Sequence, residues 1–226
     1  MKKNIIFGTI LLIISIFLII IKNIDNTIEG KVVDIYDNKY LLIHVDNEPI
    51  SVTFNKNIKN INLNDIVKIN TDGTARESFP VQMNGFSIKK IKNDYKKIDE
   101  NIKSILFDTT YYKELPIYKS KFKTVIYKEK EEFKKYVNNS KITLGENIDE
   151  IYKNSFAIIS TTSMSSEGTI FCNGIYQNNN DISINLKIET NETTNTNIIT
   201  KGCIIILDKK YINYNFETVS ETIIKK

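Results

Sequence analysis

The chain has 226 residues and a mass of 26.1 kDa, and 41% of it is hydrophobic, enough for one or two modest cores and too little for a large multidomain enzyme. Lys and Arg number 31 against 27 Asp and Glu, but Lys2, Lys3 and Lys22 flank one apolar run; the nearly balanced remainder excludes the dense basic stripe that nucleic-acid binding needs. With no tryptophan, one histidine and two cysteines, a histidine-rich metal site, a cysteine cluster and a disulfide-dense miniprotein are excluded as well.

The first element is the uncharged run Ile5 to Ile21. At about 1.5 Å rise per residue it makes roughly 26 Å of helix, close to the roughly 30 Å hydrocarbon core once Asn4 and the lysine stems are added. It is longer than the roughly 7–15-residue apolar core of a cleaved signal. The following KNIDNTIEG has neither an A-x-A site nor a cysteine to take a lipid. Residues 1–24 are therefore expected to form an uncleaved anchor that meets membrane lipid through Ile5–Ile21. Lys2 and Lys3 favour a cytoplasmic N-terminus and an extracytoplasmic body.

From Thr27 the texture changes to short β-branched runs broken by Asn, Asp and Gly, which is strand rather than helix composition. Five strands are predicted, at Ile28–Ile35, Tyr40–Val45, Pro49–Phe54, Asp65–Asn70 and Phe86–Lys92. Asp37-Asn38-Lys39 and Asp46-Asn47-Glu48 supply turn residues that tolerate positive φ. Five short strands with a longer connection before the fourth suit a small, partly open OB-like β-barrel over residues 28–92, and a plain meander suits them nearly as well.

The polar segment 93–104 reads as a linker. Beyond it, in a domain spanning 105–226, Thr124–Lys128 is a strand and Glu129–Asn139 a short helix with acids in its first turn. Five further runs between Phe156 and Val219 are strands, Asn178-Asn179-Asn180 is a hairpin turn, and Thr190–Thr200 a long loop. The fold class expected is mainly β with minor α: a transmembrane helix, the small barrel, then a helix packed on an antiparallel sheet.

The stretch LNDIVKINTDGTARESFPVQ, Leu63 to Gln82, resembles the YobA-like domain of unknown function found in secreted and anchored proteins of Gram-positive bacteria. Asn64-Asp65 stands at that family's Gly-Asp and Asp72-Gly73 at its acidic-Gly turn. Glu77-Ser78-Phe79-Pro80-Val81-Gln82 stands at its Glu-Ser-Tyr-Pro-x-Gln, with Phe in place of Tyr. The resemblance implies a small extracytoplasmic β-domain with no assigned activity. Ser155 to Ile188 is similar, more weakly, to the PrcB-like C-terminal domain, with Glu167-Gly168-Thr169 where that family has Gly-Gly-Tyr. That resemblance implies work with a protein partner beside a surface protease.

Residues that carry chemistry elsewhere read blandly here. His44 alternates with Ile43 and Val45 and is expected to be a solvent-facing or partly packed strand residue. Ser-x-x-Lys occurs at Ser87–Lys90 and Ser120–Lys123, the spacing of a serine hydrolase with a lysine base, but Ser87 lies in a predicted strand, where i and i+3 point to opposite faces. Asp34, Asp37, Asp46 and Glu48 are turn-forming and solubilising acids with no calcium-loop rhythm. Tyr211, Tyr214 and Phe216 read as core or a protein contact, and the terminal IIKK is a weak candidate for anionic lipid or wall polymer. Cys172 and Cys203 lie in separate strands; an oxidising exterior allows a disulfide between them, and two reduced thiols are the equal alternative.

The functional expectation is an anchored extracytoplasmic binding or accessory module with an unidentified protein partner at the membrane's outer face, and with no cofactor, metal or nucleic acid. Its binding loops are expected at Glu77–Gln82, with Glu77, Ser78, Phe79, Pro80 and Gln82, and at Thr162–Thr169, with Ser163, Ser165, Ser166, Glu167 and Gly168. An envelope serine hydrolase and a purely structural envelope protein are the alternatives.

Overall fold

Alternation of apolar and polar residues between Asn/Asp turns dictates strands, and the first five close on themselves. The computed structural model describes residues 26–98, 102–109, 122–165, 167–191 and 198–225. β1 (Thr27–Tyr36), β2 (Tyr40–Val45), β3 (Glu48–Phe54), β4 (Ile66–Thr71) and β5 (Val81–Lys92) pair in the cyclic order β1-β2-β3-β5-β4-β1. The barrel is therefore closed rather than partly open, and a meander is ruled out because β3 pairs with β5 in parallel while β4 lies between β5 and β1. Asp37, Asn38, Asp46 and Asn47 all take positive φ in the two hairpin turns, as their residue types allow. Val32, Leu41, Ile43, Val52, Val67 and Ile69 alternate inward and fill the barrel. Gly85 is required where the wall is tightest: a Cβ there would lie 2.5 Å from the Phe54 ring.

The rest of the chain is not a separate sheet. β6 (Lys96–Lys97), β10 (Thr169–Asn178), β11 (Asp181–Asn191) and β13 (Asn215–Lys225) continue the barrel wall into one nine-stranded sheet, ordered β2-β3-β5-β4-β1-β13-β11-β10-β6. A bulge at Val33 bends β1, so its first half serves β4 and its end, Asp34–Tyr36, pairs with β13. β7 (Lys103–Thr109), β8 (Lys123–Tyr127), β9 (Ser155–Ser165) and β12 (Ile198–Asp208) form a second sheet, ordered β7-β12-β9-β8. The wholly antiparallel arrangement expected here is corrected, because β13 runs parallel to both β1 and β11. After β11 the chain crosses to the second sheet as β12 and returns, so it re-enters the first sheet in its original direction.

Helices α1 (Lys130–Asn139) and α2 (Ile148–Asn154) pack by Phe133, Val137, Ile151 and Tyr152 into the core shared by the two sheets. Phe133 and Val137 are four apart and share one helix face. The ring of Phe133 lies 5.9 Å from that of Tyr127 and 5.7 Å from that of Tyr152, whose hydroxyl donates to the Tyr127 carbonyl at 2.8 Å. Lys201 to Leu207 of β12 is buried without a break, because helices cover one face of the smaller sheet and the larger sheet covers the other. The α2 helix, absent from the expected elements, has a local signal in Asn147, whose side chain caps it by accepting from the Asp149 N–H at 2.8 Å.

The segment 93–104, expected to be a linker, carries β6, and the Ile98 N–H donates to the Ile175 carbonyl at 2.8 Å. Strand content also exceeds expectation at the C-terminus, where Ile223–Lys225 belong to β13, and in the expected 190–200 loop, whose ends extend β11 and β12. The anchor Ile5–Ile21 lies outside the described residues. Among those described, no helix is long and apolar enough to cross a membrane.

Candidate functional site

Three places gather polar or reactive groups. The first is the seam where the barrel meets the sandwich. Successive outward positions of β2 present Leu42 and His44, and the neighbouring β1 presents Asp34 after its bulge. β13 faces them with Phe216, Glu217, Thr218 and Ser220, and β8 with Thr124, enclosing a cleft of about 230 Å³. Ser220 donates to Asp34 at 2.5 Å, and the Thr218 hydroxyl bridges Thr124 and Ser160 at 2.7 Å each. Lys31 pairs with Glu217 and sits over the Tyr95 ring, 5.6 Å from its centroid. Burial, then the charge of Glu217, pushes the Tyr95 phenol up. The cleft volume falls below the roughly 300–1,000 Å³ of small-molecule sites, so it suits a side chain or a small group better than a metabolite. His44 is thus a strand residue at the mouth of a cleft, as its alternation predicts; its neighbours Asp34 and Ser220 are remote in sequence and carry no local signal.

The second place is a polar joint behind the barrel, built around Asn64 and Asp65. Asp65 is fully buried; its carboxylate accepts from the Asn62 N–H at 2.9 Å and from Asn93 at 2.7 Å, and lies 2.8 Å from the Lys90 ammonium. Asn64, at φ +68°, exchanges hydrogen bonds with Asn185 and Ser183 of β11 at 3.1 and 3.0 Å. Lys90 is therefore directed to Asp65, and among the described residues it makes no hydrogen bond with Ser87, which is exposed. Ser120 lies outside the described residues. Asp72 is held below the usual carboxylate range by the Asn84 amide, which donates to it at 2.7 Å, and by the Thr74 N–H.

The predicted loop residues separate. Glu77, Ser78, Phe79 and Pro80 occupy the β4–β5 connection, closed by Ser78 donating to the Pro80 carbonyl at 2.8 Å. Gln82 has entered β5, where its carbonyl accepts from the Arg76 N–H at 3.0 Å. The 162–169 loop is corrected: Ser163 and Ser165 are in β9, opposite Thr200 and Ile198, because β12 extends far enough to pair with them. The Ser163 hydroxyl is buried with no hydrogen-bond partner among the described residues. Among the described residues, Glu167 and Gly168 lie between β9 and β10; Ser166 lies outside the described residues.

The chain matches no protein-family model, no curated protein and no solved structure. The remaining chemistry is read from its own residues. Cys172 on β10 and Cys203 on β12 are free thiols; Cys203 is fully buried, and its Sγ donates to the Ile204 carbonyl at 3.8 Å. Interaction with the Cys203 thiol pulls the Cys172 thiol down to about 7. The neighbouring Cys172 thiol, then burial, pushes the Cys203 thiol up. Among the described residues, no cluster of three or more His, Cys, Asp or Glu is placed to hold a metal.

Proposed function

We propose that the chain is a membrane-anchored extracytoplasmic binding module that engages a protein partner with the edge of the large sheet farthest from its anchor. The observation that carries this reading is the register Tyr36–Thr222–Ile188–Ile170 across β1, β13, β11 and β10. It brings the Asp37–Lys39 hairpin and the Glu167–Gly168 turn to one edge. β1 enters from the other direction, at Thr27, and its ten residues at about 3.3 Å each set that edge up to roughly 30 Å from the tether. Continuous sheet from β1 to β11 makes the spacing rigid, which favours recognition by loops on a fixed scaffold. Tethering also raises the effective concentration against other membrane-bound proteins, so modest contacts suffice. A surface protease complex is the partner class that the PrcB-like resemblance implies.

The test is photo-crosslinking in intact cells from a probe at Lys39 or Glu167, with Lys92 as the control position, followed by fractionation. One polypeptide recovered in stoichiometric yield from the first two positions and not from the third is expected. Recovery of the intact chain in the cytosol would overturn the reading, as would identical crosslinks from all three positions.

A further inference from the structure

The two most exposed large apolar side chains among the described residues, Phe86 at 71% and Phe79 at 52%, lie at the same end of the barrel. Phe86 occupies a bulge of β5, between Gly85 opposite Thr71 and Ser87 opposite Asn70, and Phe79 lies in the adjoining β4–β5 loop. This is the end where the chain enters. Thr27 pairs with Asn70, and Thr71 donates to the Asn26 carbonyl through its N–H at 2.8 Å and its hydroxyl at 3.0 Å. Gly73, at φ +71°, lies so close to the Asn26 side chain that a Cβ would come within 2.8 Å of it. The loop is thus fastened to the point from which the N-terminal segment departs.

We propose that this end of the barrel rests on the bilayer, with Phe79 and Phe86 inserted between lipid headgroups. The inference depends on the anchor reading given above. The occupant follows from the length of chain between the apolar run and the barrel: Ile21 is the last residue of the run, and Lys22 and the five residues Asn23 to Thr27 span at most about 22 Å when extended. The β4–β5 loop hangs from that same short tether, so lipid is the surface it meets first. Phenylalanine gains by removing its apolar ring from water, and Phe side chains bury at the boundary between headgroups and acyl chains. The loop's charges, Asp72, Arg76 and Glu77, are mixed, so contact needs no anionic lipid. The same contact would orient the sheet and hold its far edge away from the membrane.

Because the chain has no tryptophan, a single one reports its own position. The full chain is reconstituted in phosphatidylcholine vesicles as Phe79→Trp, Phe86→Trp and, at the far edge, Phe171→Trp, which replaces a side chain 39% exposed. Vesicles are floated, and emission is compared with and without lipid brominated near the top of the acyl chain. The chain is expected to float, with Phe79→Trp and Phe86→Trp losing most of their emission to brominated lipid and Phe171→Trp keeping its own. Flotation with all three equally unquenched would overturn the lipid contact while leaving the anchor standing, and would return the aromatic end to a protein partner. A chain that stays at the bottom of the gradient would remove both.

Discussion

The barrel is closed by strands drawn from one stretch of 66 residues, 27–92, whereas the sandwich depends on strands that meet only after most of the chain is made. Hairpins β1–β2 and β2–β3 bring neighbours together, and only β1–β4 and β3–β5 reach further. In the sandwich, β7 pairs with β12 across roughly a hundred residues, and β13 must slide between β1 and β11 before the large sheet is continuous. Local pairings repay loop closure early and distant ones late, so the barrel is the part expected to form first, and the sandwich the part that needs the whole chain. The two share β13, whose Val219 packs in the barrel core, so they are expected to be lost together.

The largest test of that coupling is Phe133→Ala in the sandwich core. Phe133 is fully buried between two tyrosine rings, and its truncation is expected to cost about 3–5 kcal/mol. Hydrogen exchange read by mass spectrometry should then show barrel and sandwich peptides opening together; a barrel that stays protected would separate the two regions. Next is Asp65→Ala at the joint, which strips partners from Lys90, Asn93 and the Asn62 N–H and is expected to cost about 3 kcal/mol in denaturant unfolding. A loss below half that would mean the joint contributes shape rather than stability.

A smaller effect, about 1–3 kcal/mol, is expected for Gly85→Ala, which pushes a methyl group into the Phe54 ring and strikes the barrel alone. If the sharing of β13 is as tight as its register indicates, this barrel substitution lowers the exchange protection of β11 as well. The smallest effect belongs to Glu189, a partly buried carboxylate at the far edge, held at about 2 by Lys187 and then Lys225. Its folded pKa is depressed below the ordinary 4.5, so the stabilisation is present above pH 4.5 and lost as the pH falls through 2. Glu189→Gln is expected to flatten the acid limb of a thermal-melt pH profile slightly over that window, and moderate salt should remove the difference.

Much of the barrel was legible because its signals are local. Asn and Asp at positions 37, 38, 46 and 47 announce the turns, and alternation in YLLIHV sets which face is buried, with Leu41 and Ile43 inward and His44 outward. The far part was read strand by strand but not sheet by sheet: nothing in DISINLKIE or NYNFETV says that they lie side by side in parallel, because that depends on where β12 goes in between. The 162–169 segment was misplaced for the same reason, since Ser163 and Ser165 are strand residues only because Ile198–Thr200 pair with them. The cleft at His44 draws on β1, β2, β8 and β13 and could not be read from any one of them.

By itself, the amino-acid order determined the apolar N-terminal run, the strand-rich body, the hairpin turns and the inward faces of the barrel, since each is a matter of neighbours along the chain and of side-chain periodicity. The tertiary structure alone decided that the barrel closes, that its wall continues into a nine-stranded sheet, that Asn64 ties the barrel to β11, and that Cys172 lies beside Cys203. Those are contacts between residues far apart in the chain, and their geometry exists only once every intervening turn and crossover has been made.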